Sequence, residues 1–190
     1  MATIQDILDR YAKLCGWCDS FWKRAADRLA GQIVCGSGCS VCCELPSVNY
    51  LESFVIARRL ALSGRAASRK SRGARDGSCP FISSGRCDIY PDRPLICRTH
   101  GLLLKKTSMG DAISISCPYN FTGIDLKTVD DSFVLDIERV STNLARLNAA
   151  FCMLLGNVKK SADRITMADL ADGTVGPAWF EDSHRSESHG

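Results

Sequence analysis

No apolar run in this chain approaches the roughly 20 residues a membrane-spanning helix needs, so a helical membrane protein is not expected. The start, Met1-Ala-Thr-Ile-Gln-Asp-Ile-Leu-Asp-Arg10, has no basic segment, no apolar stretch and no small-residue cleavage site, so export is not expected either. A phosphate-cradling glycine loop, a dinucleotide fingerprint and a Ser-His-Asp set are all missing, which removes the commonest nucleotide-dependent and nucleophilic enzyme classes. Formal charge is nearly balanced at +3, too little to argue for a nucleic-acid partner. Histidine is scarce: of three, His184 and His189 lie in a polar tail, and only His100 lies where a metal site could use it. The expectation is a cytoplasmic protein whose thiols are kept reduced.

What is abundant is cysteine, eleven in 190 residues. An odd number suits metal ligands plus spectators better than a closed disulfide framework. Four of them crowd together as Cys35-Gly-Ser-Gly-Cys39-Ser-Val-Cys42-Cys43, and Cys79, Cys87, Cys97 and Cys117 follow. Glycines in the first spacer allow turns forbidden to other residues and let amide N–H groups point at sulfur. Cys42 and Cys43 are adjacent, and in an extended segment adjacent side chains point to opposite sides, so the two are expected to serve different sites. Eight thiols give two sets of four, as in two tetrahedral zinc sites; an iron–sulfur cluster plus a second site fits the count equally well.

The remaining chain frames this middle. Ile4, Leu8, Tyr11, Cys15, Cys18, Trp22, Ala25 and Leu29 recur in steps of four and three, predicting a helix capped by Thr3 and ended before Gly31. Phe133, Ile137, Val140, Leu144, Leu147, Phe151 and Leu154 predict a second helix of the same length and period. The two are expected to pack on each other and close the cysteine-rich middle, or to use one seam for a protein partner or a second copy of the chain. Cys15 and Cys18 form a C-x-x-C, but they occupy seam positions and are read as core, as is Cys152.

Asn49-x-x-Glu52 predicts the start of a short helix carrying Leu51, Phe54, Val55 and Leu62. The basic stretch 65–77 reads as an exposed loop. Phe81 to Arg86 is expected to turn at Gly85 and bring Cys79 to Cys87. Leu102 to Ser116 reads as a β-hairpin turning at Gly110 that joins Cys97 to Cys117. Arg93 and Arg98 bracket Cys97, either relieving thiolate charge or pairing with Asp88, Asp92 or Glu44, while Tyr90 is expected to pack. Thr166-Met-Ala-Asp169 predicts one more short helix, and the residues from Gly173 onward read as loosely ordered.

The domain expectation is therefore a single domain over 1–156, with an N-terminal helix over 1–31, a cysteine-cluster metal-binding region over 35–118 and a long helix over 130–156. A short helix and tail fill 157–190. The fold class is mainly α with a small β-hairpin, its cysteine-rich core stabilised by metal and packed against two long helices.

The ordered motifs resemble the YkgJ-type cysteine-cluster family, described as zinc- or iron-chelating. Cys35-x3-Cys39-x2-Cys42-Cys43 is similar to its opening cluster and Glu52 to its acidic residue. Cys79-Pro-Phe81, Cys87-Asp-Ile-Tyr90 and Arg93-Pro-Leu-Ile-Cys97-Arg98 are similar to its middle block, and Cys117-Pro118 to its end. The resemblance implies metal chelation, and one group of relatives acts as flagellin lysine N-methylase. Two functions follow as expectations. One is a module binding zinc or iron, or an iron–sulfur cluster, through Cys35, Cys39, Cys42, Cys43, Cys79, Cys87, Cys97 and Cys117. The other is an enzyme in which an open iron centre supports redox or group-transfer chemistry. The spacing Cys35-x3-Cys39-x2-Cys42 is also that of radical S-adenosylmethionine enzymes, but those need repeated strand–helix units, and here a long helix comes first.

Overall fold

The computed structural model describes residues 2–36, 38–64, 78–108, 111–177 and 179–180. The fold is mainly helical with three small sheets. Helix α1 spans Ile4–Arg28. Thr3 caps it through a reciprocal pair, its hydroxyl accepting from the Asp6 N–H while the Asp6 carboxylate accepts from the Thr3 N–H at 2.7 Å. Ile7, Tyr11, Cys15, Cys18, Phe21 and Ala25 are buried along one stripe, flanked by half-buried Ile4, Leu8, Trp22 and Leu29. Ile7 and Phe21 are members of the stripe that a strict four-three stepping passes over.

A two-residue strand β1 (Ser47–Val48) leads into α2 (Tyr50–Leu62), where Asn49 accepts from the Glu52 N–H as predicted. Leu62 is 73% exposed and belongs to the surface, not to the helix seam expected for it. The hairpin β2 (Ile82–Ser83) and β3 (Arg86–Cys87) turns at Ser84-Gly85, where Gly85 has φ +72°. Helix α3 (Leu95–Thr99) is one turn long. Strands β4 (Leu103–Ser108) and β5 (Asp111–Ile115) form the expected hairpin; its turn at Gly110, like the basic stretch 65–77 and both tail histidines, lies outside the described residues.

A third strand, β6 (Val134–Asp136), lies parallel to β4 in the order β5-β4-β6. The periodic pattern assigns its first residues to the second helix, but that helix, α4, spans only Ile137–Leu154 and is shorter than α1. Phe133 belongs to a 3-10 turn before the strand. Asp136 ends the strand and caps α4 by accepting from the Arg139 N–H. α1 packs on α4, and α4 on α2, as expected of the framing helices. Asn148 is buried on α4. Its Oδ1 accepts from the Leu51 N–H at 2.9 Å, satisfying a first-turn donor of α2, and its Nδ2 donates to the Ser161 carbonyl.

The chain beyond Gly156 is less loose than its composition suggests. Strand β7 (Ile165–Thr166) pairs with β1, and α5 (Met167–Asp172) starts at Thr166, which accepts from the Asp169 N–H. Val175 and Phe180 are buried. Trp179 and Phe180 join Tyr50, Phe54 and Phe151 in an aromatic cluster with ring centroids 5.0 to 6.4 Å apart. The expectation of a loosely ordered tail is therefore corrected for residues 173–177 and 179–180: two aromatic residues supply enough apolar area to dock a polar segment. Among the described residues, no helix is long and apolar enough to cross a membrane.

Candidate metal centre

Four separate pieces of chain carry the eight cysteines, and local structure aims three of them, with seven of the thiols, at one cavity of about 620 Å³. The cavity is lined by Cys35, Cys39, Cys42, Cys43, Cys79, Cys87 and Cys97, with Trp22, Leu45, Ile82, Ile89, Pro94 and Met167 as apolar wall. The loop after α1 supplies the first four thiols. The Cys43 carbonyl accepts from the Cys79 N–H at 2.7 Å, tying this loop to the β2–β3 hairpin. At the hairpin turn, a Cβ on Gly85 would stand 3.3 Å from the Gly38 carbonyl oxygen, so the two loops touch backbone to backbone. Cys79 and Cys87 each accept a backbone N–H from two residues ahead, Phe81 and Ile89 respectively.

Cys97 sits on α3, whose start is held in an unusual way. Pro94 offers no side-chain cap, and the buried Glu52 carboxylate reaches across to accept the Leu95 N–H at 2.8 Å. The same carboxylate accepts from the Tyr11 hydroxyl at 3.3 Å and from Asn49 Nδ2 at 3.0 Å. Glu52 thus ties α1, α2 and α3 together behind the cysteines. Burial raises its pKa, opposed by the hydrogen bond from Leu95.

The arginines do not use the partners expected of them. Arg93 and Arg98 both grip Asp19 on α1, at 2.7 and 2.5 Å, while Asp92 pairs with Arg59 at 3.2 Å. Arg98 also donates to the carbonyls of Pro91 and Arg93, so it braces the loop that leads to α3. Arg93 retains one role near the thiols, where its charge favours the Cys87 thiolate. Tyr90, expected to pack, is 60% exposed. Its ring is instead covered on one face by the Arg93 guanidinium, 4.0 Å from the centroid.

The thiols sort by which neighbours act on them. Burial is the first cause throughout and pushes the Cys97 thiol up to about 12; its next causes are Cys79, Cys87 and Cys43. Cys43 in turn is raised by burial, then by Cys79 and Cys87. On the other side Cys35 feels burial, then Cys117 and Cys39, and it shares a thiol–thiol hydrogen bond with Cys117. Cys42 is pushed up to about 11 by burial and by Cys43, Cys35 and Cys39. Cys35 is thus coupled to Cys117 and Cys39, and Cys97 to Cys79 and Cys87, while Cys42 and Cys43 act on each other and Cys39 acts on both, so the adjacent pair links the two ends. Cys117, which follows the β4–β5 hairpin, is hydrogen-bonded to Cys35.

Asn120, three residues past Cys117, explains that last placement. It is buried, donates from Nδ2 to the Gly101 carbonyl at 2.7 Å and to the Cys35 sulfur at 3.3 Å, and accepts the Val34 N–H. Gly101 has φ +90°, and a Cβ there would lie 2.8 Å from that sulfur, so the position suits glycine twice over. The one sequence signal for Asn120 is an amide close behind the last cysteine. Trp22 contributes too, its indole donating to the His100 carbonyl at 3.0 Å. His100 itself is half-buried at the cavity, and burial lowers its pKa, favouring the neutral ring. Cys15, Cys18 and Cys152 are buried in the hydrophobic core.

The fold is small and mainly helical and gathers thiols from three chain segments at one cavity. Residues 34–118 match the CxxCxxCC family model, described as "Putative zinc- or iron-chelating domain", the family to which YkgJ-type proteins belong. No curated protein and no solved structure matches the chain.

The donor set fits such a metal in kind: seven thiols and the His100 imidazole line the cavity, and both ligand types suit zinc and iron. Among the described residues, no three His, Cys, Asp or Glu side chains are placed closely enough to hold an ion as they stand.

Proposed function

We propose that the segment from Cys35 to Cys117 holds zinc or iron through eight thiolates in two sets. These are Cys35, Cys39, Cys42 and Cys117 in one, and Cys43, Cys79, Cys87 and Cys97 in the other. The observation that carries this is the convergence of seven of these thiols on one cavity, with Cys117 hydrogen-bonded to Cys35 at its side. Binding displaces the thiol protons, so raised thiol pKa values make metal retention fall steeply as pH drops. All eleven cysteines are free, consistent with a reducing, cytoplasmic setting.

Metal and sulfide content, with a visible spectrum, on protein purified without oxygen or chelator tests the reading. Colourless protein with about two zinc ions is the expected result for two four-thiolate sites. Brown protein with iron and labile sulfide would assign a cluster to the same thiols. Absence of stoichiometric metal would overturn the proposal.

The size and apolar wall of the cavity favour one second reading, an iron-centred redox or group-transfer enzyme similar to protein lysine N-methylases. The cavity has room for a cosubstrate beside a metal centre. Titration of the iron-loaded protein with S-adenosylmethionine separates the two, because a closed structural site gives no saturable binding or spectral change.

A further inference from the structure

We infer that the two thiol sets do different work: the set of Cys35, Cys39, Cys42 and Cys117 is an exchange site that hands a divalent ion to a thiol-bearing acceptor, while the other set keeps its ion. This rests on the two-set reading above. Of all the cysteines, Cys39 and Cys42 are the exposed ones, and both belong to the first set. The other half of that set is better held, since the Cys35 sulfur accepts from the buried Asn120 amide and Cys117 lies beside it. An ion there would keep those two thiolates while two solvent-facing ones detach in turn. The second set has no such open side. Cys79 and Cys87 are locked by the N–H groups of Phe81 and Ile89, which are themselves buried, and Cys97 rides on a helix start held by Glu52.

Exposed apolar residues accompany the reachable thiols: Val34, Val41 and Tyr119 stand within two residues of cysteines in the first set and are 60%, 57% and 56% exposed. Apolar side chains beside reachable thiols suit docking of another protein, which a site that merely buffers free ions would not require. The exchange balances without an oxidant. The acceptor sulfur bonds the ion as the Cys39 sulfur leaves, the acceptor's thiol proton passes to Cys39, and the ion keeps its charge. Cys42 and then the better-held pair follow.

The full chain is reconstituted with two equivalents of zinc under anaerobic conditions, then mixed with 4-(2-pyridylazo)resorcinol or with a metal-free four-cysteine zinc-finger peptide. Two release phases of equal amplitude are expected, about tenfold or more apart in rate, that being the scale on which the ligand-supporting shell changes metal affinity. The fast phase should accelerate with peptide concentration. Cys39→Ser/Cys42→Ser should bind one zinc ion and lose only the fast phase. Val41→Ser should keep two ions and slow transfer to the peptide while leaving transfer to the dye unchanged. Two ions leaving at a single rate, or a fast phase indifferent to peptide concentration, would overturn the exchange role while leaving the two-set reading intact. A wild-type stoichiometry below two would remove that reading itself.

Discussion

Cys15 and Cys18 on α1 and Cys79, Cys87 and Cys97 around the cavity carry the same side chain, and the chain uses it in two opposite ways. The helical pair is shut into a stripe between Tyr11 and Ala25, where a thiol behaves as a small apolar group, and burial pushes Cys18 up to about 12. Of the cavity cysteines, Cys79 precedes the hairpin, Cys87 ends β3 and Cys97 rides on a one-turn helix; all three are half-buried, and backbone N–H groups point at the Cys79 and Cys87 sulfurs. Burial alone does not separate them, because Cys97 is pushed up as far as Cys18. The difference lies in the neighbours: Cys97 is raised next by three other thiols, whereas Cys18 meets one thiol, Cys15, and that pair is packed within the apolar core with Asp19 and Arg98 nearby. A thiol among thiols calls for a cation, and a thiol among apolar side chains calls only for packing.

The largest expected effect breaks this comparison at Cys97. If metal supplies folding free energy through the second set, Cys97→Ser should cost several kcal/mol and lower metal content together with the melting temperature. Chelator stripping of the wild type should bring its melt down toward that of the variant. Next comes Glu52→Ala, which removes the carboxylate holding the start of α3 and leaves the buried Leu95 N–H unpaired, at a cost of about 2–3 kcal/mol in thermal or denaturant unfolding.

Glu52→Gln sharpens the point through pH. Burial raises the folded carboxyl above its unfolded value, so the native state holds the proton more tightly. The associated stability is fully present below the unfolded pKa and is lost as pH rises through the folded one. Glu52→Gln does not titrate. Its stability should therefore improve relative to wild type as pH rises across that window; a difference independent of pH would show that Glu52 is not perturbed by burial. Asp19→Asn comes third. It weakens the grip on Arg93 and Arg98, at about 1–2 kcal/mol after discounting for an Asp19 side chain that is 38% exposed.

The halves of the molecule were unequally legible. Helices α1 and α4 announce themselves through apolar period and α1, α2 and α5 through capping residues, since Thr3, Asn49 and Thr166 act within three positions of themselves. The short strand β6 does not, because three residues cannot establish an alternation and Phe133 continues the phase of the helix behind it. Around the cavity, the ligand types and the β2–β3 hairpin are visible in the spacing. The side chains that hold the cavity in shape are not: Asp19, Asn120 and Glu52 act on residues 74, 85 and 43 positions away. Nothing in local sequence specifies such a partner. Charge matching fails for the same reason, as Asp88 and Asp92 lie nearer to Arg93 in the chain but Asp19 is nearer in space.

The smallest effect is expected where the comparison predicts near silence. Cys15→Ala and Cys18→Ala each delete a buried sulfur and leave a small cavity in the α1 stripe, worth about 1–2 kcal/mol. Metal content should not change, because neither sulfur belongs to the thiol groups around the cavity. The same separation should show in chemistry without any mutation. In the folded metal-free protein at neutral pH, Cys18 and Cys152 are buried thiols pushed up to about 12 and about 11, and they should resist iodoacetamide as long as the core is closed. Exposed Cys39 and Cys42 should be alkylated first. Peptide mapping by mass spectrometry reads all of these positions in one experiment. Early labelling of Cys18 would mean that the α1 stripe opens without metal and that the helical thiols depend on the cavity after all.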